Sequence, residues 1–276
     1  MKIAIASGKG GTGKTTLAVN LALAADKPVC LLDCDVEAPN AHLFLKGRLA
    51  EQKIATVPVP VVDETRCDGC GLCSQFCAFN AIVCFGAPPA ISKEMCHGCG
   101  GCMRICPQKA IHETDHRIGV VESFECGDIL LTHGRLDIGV ALAPPLIHAV
   151  LEKAQGELVL IDAPPGTSCP VIAAVRDADF VVLVTEPTPF GLNDLTLAVE
   201  VMRALGRPFG VVINRATEQD SFVRPYLEKE KIRLLAEIPD DRNIARAYAD
   251  GIPLLQALPD YRDVFSNLLK NLCEAA

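Results

Sequence analysis

The sequence predicts an α/β protein, a doubly wound and mostly parallel sheet flanked by helices, with a small α+β domain inserted into it. Three observations predict this. Short apolar runs recur and end in Asp or Asn, as strands buried on both faces do. Helix-like stretches alternate with them, which calls for parallel pairing through crossover connections. Between residues 59 and 115 the texture changes to Cys and Gly without helical periodicity.

Ile3-Ala4-Ile5-Ala6 reads as the first strand and Leu17 to Ala25 as the first helix. Between them, Gly8-Lys9-Gly10-Gly11-Thr12-Gly13-Lys14-Thr15-Thr16 fits the phosphate-loop pattern of Gly, four residues, then Gly-Lys-Ser/Thr. Glycines lack a Cβ, so successive backbone N–H groups can turn inward around phosphate oxygens, and the following helix adds its positive end. Gly10, Gly11, Thr12, Gly13, Lys14, Thr15 and Thr16 would cradle the nucleotide. Lys14 reaches the β- and γ-phosphates, and Thr15 binds Mg²⁺ through its hydroxyl.

Pro28 to Leu32 is a second strand, ending in Asp33-Cys34-Asp35. A parallel sheet gathers its ligand at such carboxyl ends. Pro58-Val59-Pro60 reads as an extended linker, so residues 1–58 and 116–276 form one discontinuous domain and 59–115 the insertion. Beyond it, Leu158 to Asp162 is a strand followed by the rigid turn Ala163-Pro164-Pro165-Gly166-Thr167. Phe180 to Val184 and Phe209 to Asn214 are further strands, with a helix over Gly191 to Leu205 between them. Leu234 to Pro239 is the last strand, and the segments from Asp241 and from Tyr261 look helical.

The insertion carries an internal repeat. Cys67-x2-Cys70-x2-Cys73-x3-Cys77 recurs 29 residues later as Cys96-x2-Cys99-x2-Cys102-x3-Cys106-Pro107. This is the spacing that binds 4Fe-4S clusters in bacterial ferredoxins, where the fourth cysteine of each run serves the other cluster. Cys67, Cys70, Cys73 and Cys106 are therefore assigned to one cluster, and Cys96, Cys99, Cys102 and Cys77 to the second. Zinc prefers two separated Cys-x2-Cys pairs and suits three successive x2 intervals poorly. A purely structural role for the clusters is the blander alternative. Cys30 and Cys84 sit in apolar runs and read as small buried residues. Cys34 lies between two acids that raise its pKa, so no nucleophile is expected there. Cys126, Cys169 and Cys273 are isolated, and His112 and His116, spaced as on one helix face, lack a third ligand.

Composition narrows the function. The chain has 276 residues and a net charge of −8, against the broad basic surface that nucleic acid or anionic lipid requires. No signal peptide and no apolar run approaching about 18 residues is visible, so a cytoplasmic location is expected. Fourteen cysteines in a reducing compartment call for something other than disulfides.

Lys9 is an extra lysine that the general loop pattern does not require, and the stretch resembles the deviant phosphate loop of the MinD/ParA/nitrogenase-iron-protein ATPases. With Asp33-x-Asp35, Asp162-x-Pro164-Pro165-Gly166 and Asn214, the chain looks like a MinD/ParA-type P-loop NTPase with an inserted two-cluster ferredoxin-like domain, similar to the Mrp-type cluster carriers. The resemblance implies ATP and Mg²⁺ as ligands, and a homodimer on ATP binding in which Lys9 reaches the partner's nucleotide. Lys9, Lys14, Asp35 and Asp162 would be catalytic. By the same resemblance Asp35 orients the attacking water, Asp33 lies near Mg²⁺, Asp162 holds a Mg²⁺ water and Asn214 hydrogen-bonds the adenine. Mrp-type carriers also have a Cys-Pro-x-Cys pair near the C-terminal end, and no Cys-x2-Cys follows Cys106 here. The tail from Tyr261 has only Arg262 and Lys270 as cations, so stable membrane anchoring is not expected. The leading expectation is an ATPase whose nucleotide state controls electron transfer through two 4Fe-4S clusters to a redox partner. The alternatives are a cluster carrier serving an apo-protein client and a positioning protein with structural clusters.

Overall fold

The apolar runs occupy the middle of a sheet. The computed structural model describes residues 1–219 and 222–275. Its strands are β1 (Lys2–Ala6), β2 (Val29–Asp33), β3 (Arg48–Val62), β4 (Ile82–Val83), β5 (Ala90–Ile91) and β6 (Ile111–Cys126). They continue with β7 (Ile129–Leu136), β8 (Leu158–Asp162), β9 (Phe180–Thr185), β10 (Phe209–Ala216) and β11 (Leu234–Pro239). One sheet runs in the order β11-β10-β9-β1-β8-β2-β7-β6-β3, and every pairing from β11 to β7 is parallel. Strands β2, β8 and β9 are buried along their whole length, because helices cover both faces of such a sheet.

Helices Lys14–Ala24, Cys169–Val175, Pro189–Leu205 and Val223–Glu230 supply crossovers between parallel strands. The longest starts two residues before the sequence suggests. Pro189 takes its first position, where a missing N–H costs nothing, and Thr188 caps it by accepting from Gly191 N at 2.9 Å. Ile3, Ile5, Leu17, Leu21, Leu31 and Leu160 form the centre of the core. Helix Arg262–Ala275 adds Phe265, Leu268 and Leu272, spaced to share one face. Among the described residues no helix is long and apolar enough to cross a membrane.

The chain divides into two compact units, Met1–Gln52 with Val121–Arg135 and Ile147–Ala276, and Lys53–Val120 with Leu136–Leu146. The second unit thus takes in residues 53–58 and 116–120 beyond the span that composition marks. The expected linker Pro58-Val59-Pro60 lies inside β3, at the end of the sheet order, where a strand tolerates proline because one side needs no donors. Ala55, Val57 and Val59 alternate into the interior. His112 and His116 lie on β6, so their four-residue spacing is not that of a helix face. Helix Ala143–Leu151 takes Pro144-Pro145 into its first turn, where missing N–H groups cost nothing.

Within the second unit the repeat is structural as well as sequential. Left-handed Gly71 and Gly100, at φ 76° and 68°, start the one-turn helices Leu72–Phe76 and Gly101–Ile105. Asn80 and Lys109, also 29 apart, both take positive φ, 53° and 50°. Ser92 N donates to Ala81 O at 2.8 Å and Asp63 N to Ala110 O at 2.7 Å, so each copy's leading residue bonds the other copy's end. Cys73, Ile82, Cys102 and Ile111 form the small core between them.

Candidate functional site

The loop after β1 has the geometry that phosphate binding needs. Gly13 caps the first helix at φ 95° and Gly11 sits at φ 78°, both left-handed. Glycine has a second reason at two positions. A Cβ on Gly8 would lie 2.1 Å from Asp194 O, and one on Gly13 would lie 2.3 Å from Asn214 Nδ2. Asn214, two residues before the end of β10, donates to Thr12 O at 2.8 Å and so ties the loop to the sheet. A cavity of about 330 Å³ opens above the loop, bordered by Lys14, Thr15, Thr16, Asp35 and Asn214. Its far side consists of Arg215, Pro239, Asp241, Ile244 and Tyr248. The sequence reading missed that side, although Pro239 ends β11 and the rule that ligands gather at strand ends points there.

The acids meet as parallel register dictates. Asp33 pairs with Asp162 across β2 and β8, and both are fully buried. Thr15 Oγ1 donates to Asp162 Oδ2 at 2.5 Å, while Oδ1 has no hydrogen-bond partner among the described residues. Burial pushes Asp162 well above the usual carboxylate range, the Asp33 charge adds to this, and the Thr15 hydrogen bond opposes it. An orphaned buried carboxylate oxygen beside a threonine hydroxyl suits a hard, oxygen-seeking cation such as Mg²⁺. Asp33 is differently engaged. Its oxygens accept from the backbone N–H groups of Asp35, Asn40 and Ala41 at 3.1, 2.9 and 3.0 Å, so it holds the loop that follows β2.

Lys14 is 6% exposed, and burial lowers its pKa against the opposing pull of Asp162, Asp35 and Asp33. Burial and the Asp33 charge push Asp35 up to about 6. The Cys34 thiol is raised well above its ordinary value, more by complete burial than by the flanking acids. Lys9 Nζ lies 3.3 Å from Glu186 Oε2, and Arg215 Nη1 lies 2.8 Å from Oε1 without hydrogen-bond alignment. Lys9 is therefore engaged within its own chain through Glu186, a buried residue that no motif marked.

In the second unit, the eight repeat cysteines border two cavities. One is lined by Cys67, Cys70, Cys73 and Cys106, with Cys84 as a fifth thiol. The other is lined by Cys77, Cys96, Cys99 and Cys102. The second encloses about 160 Å³ and the first, narrower, about 20 Å³. Residues equivalent by the repeat shape the walls differently. Gln108 Nε2 donates to Asp68 Oδ2 at 2.9 Å beside the first, while Phe79 stacks on His97 at 3.7 Å beside the second. Among the described residues no three His, Cys, Asp or Glu side chains converge tightly enough to hold a single metal ion. A zinc ion draws sulfurs to about 2.3 Å from one centre, whereas a cluster spreads its four thiolates over several irons.

Comparison with known proteins agrees with the first unit's geometry. Residues 3–254 match the CobQ/CobB/MinD/ParA nucleotide binding domain. An uncharacterized protein of Methanocaldococcus jannaschii is 32% identical over 281 residues, covering 99% of this chain and 97% of its own. An iron-sulfur cluster carrier protein of Pyrococcus horikoshii is 26% identical, over 92% of this chain and 79% of its own. Among solved structures, the septum site-determining protein MinD of Pyrococcus horikoshii, complexed with Mg-ADP, superposes with a TM-score of 0.61. That match, at 21% identity, covers 98% of this chain and 95% of the other. A correspondence over this much of its length makes the chain a member of the CobQ/CobB/MinD/ParA family of nucleotide-binding domains.

Proposed function

We propose that the chain hydrolyses Mg-ATP in its first unit and that the nucleotide state governs iron-sulfur chemistry in its second. The observation that carries the second half is the sorting of eight cysteines about two cavities, each with three from one run and the fourth from the other. When bound, two 4Fe-4S clusters supply one-electron storage, at potentials set by charge, hydrogen bonds to sulfur and solvent exposure.

In the first unit, Lys14 and the loop N–H groups neutralise charge that develops on the transferring phosphoryl group. Water attacks the γ-phosphorus in line, the bond to the bridging oxygen breaks, and ADP and phosphate leave. Asp35 accepts a hydrogen bond from that water, and its raised pKa of about 6 suits a base working near neutrality. Thr15 and the unpartnered Asp162 oxygen would hold Mg²⁺ and its water. Asp33 acts by positioning the loop. The chain order offers a covalent route to the second unit, because residues 34–47 lead from that loop into β3, which ends there. In a homodimer formed on ATP, Lys9 would exchange Glu186 for the partner's nucleotide.

A carrier that delivers its cluster to an apo-protein is the second reading, favoured by the relative that bears that name. The two part on retention. An electron-transfer protein keeps its iron when incubated with an apo-protein acceptor, whereas a carrier loses it. For the first half of the proposal, Lys14→Ala is expected to lower ATP turnover by roughly 10²-fold or more, as loss of a charge-stabilising group does, with iron content unchanged. Retained turnover contradicts the phosphate-loop assignment.

A further inference from the structure

Cys84 lies outside both four-cysteine runs, yet it borders the same cavity as Cys67, Cys70, Cys73 and Cys106. Its half-buried thiol donates to Gly86 O at 3.1 Å and faces Gly69 O at 3.7 Å. A Cβ on Gly71 would come within 4.0 Å of its Sγ, so Cys84 rests against the loop that carries Cys70. The repeat supplies the control. A shift of 29 residues turns Gly71 into Gly100 and Cys84 into Glu113, and a Cβ on Gly100 would likewise lie 3.3 Å from Glu113 Oε1. The same place in the two copies therefore holds a soft thiol in one and a hard carboxylate in the other. Iron-sulfur clusters select soft thiolate ligands over carboxylate.

We propose that Cys84 is a reserve ligand of the first cluster, able to replace the exposed Cys70, and that the second cluster has no such reserve. This rests on the cluster reading given above. The exchange balances: the Cys84 thiol releases its proton as sulfur bonds iron, the Cys70 thiolate that leaves iron takes up a proton, and no electron moves. The first cluster thereby survives loss or chemical blocking of Cys70, a protection absent at Cys99, its equivalent in the second copy.

The test is iron content and the electron paramagnetic resonance of the dithionite-reduced full chain, purified anaerobically. Wild type is expected to hold about eight irons. Cys70→Ala should keep about eight, whereas Cys99→Ala and the double variant Cys70→Ala/Cys84→Ala should fall to about four. The signal of the surviving cluster reports that the second unit has folded. If wild type holds about eight irons but Cys70→Ala holds about seven or four, the reserve role is overturned and the cluster reading stands. Wild type without iron overturns the cluster reading itself.

Discussion

Asp35 sits between opposing influences, with burial and Asp33 raising its pKa to about 6 and Lys14 pulling it down. A carboxyl raised in the folded state binds its proton more tightly there than in the unfolded chain. Its contribution to stability therefore falls as pH climbs from about 4 to about 6 and is level above that. Asp35→Asn removes this slope, so the nucleotide-free variant should gain thermal stability over wild type at pH 7 and not at pH 4. Equal differences at both pH values in a thermal melt would contradict the shifted titration. The phosphate loop was legible from its own pattern, whereas Asp33, Asp35, Asp162 and Asn214 were singled out by the family resemblance together with their places at or near strand ends. Glu186, Arg215 and Tyr248 were not, because what brings them to Lys9 or to the cavity is tertiary packing, which leaves single residues without a local pattern.

Strands buried on both faces announce themselves as unbroken apolar runs, which is why β1, β2, β8, β9 and β10 could be read directly. β3 and β6 could not, because β3 is exposed over its first seven residues, β6 is polar over half its length, and both cross between the two units. The hairpin of β6 and β7 turns on Gly127-Asp128, a two-residue link with Gly127 at φ 67° that carries the clearest local signal in the region. At the C-terminal end, helix Arg262–Ala275 owes its position to its apolar face rather than to propensity. Leu268→Ala, at a site 2% exposed, is expected to cost about 2–5 kcal/mol in denaturant unfolding, through lost burial and the cavity left behind. A change below about 0.5 kcal/mol, typical of surface sites, would show that this helix does not belong to the core.

For the whole molecule, the first unit's fold follows from family membership, and the chemistry proposed for the second unit rests on its cysteine arrangement. Two cysteine runs with matching spacing are legible as a repeat, the ferredoxin spacing already crosses their fourth members, and the two cavities group the cysteines in the same crossed way. That grouping arises because Asp63 and Ser92 each bond to the end of the other copy and so interleave the halves. The proposed function requires both cavities to hold clusters in a protein that also binds nucleotide. The most direct measurement is metal analysis with labile sulfide on anaerobically purified full-length protein. About eight irons and eight sulfides per chain are expected, with zinc absent. Zinc in their place, or a protein that cannot be loaded with iron and sulfide, would contradict it.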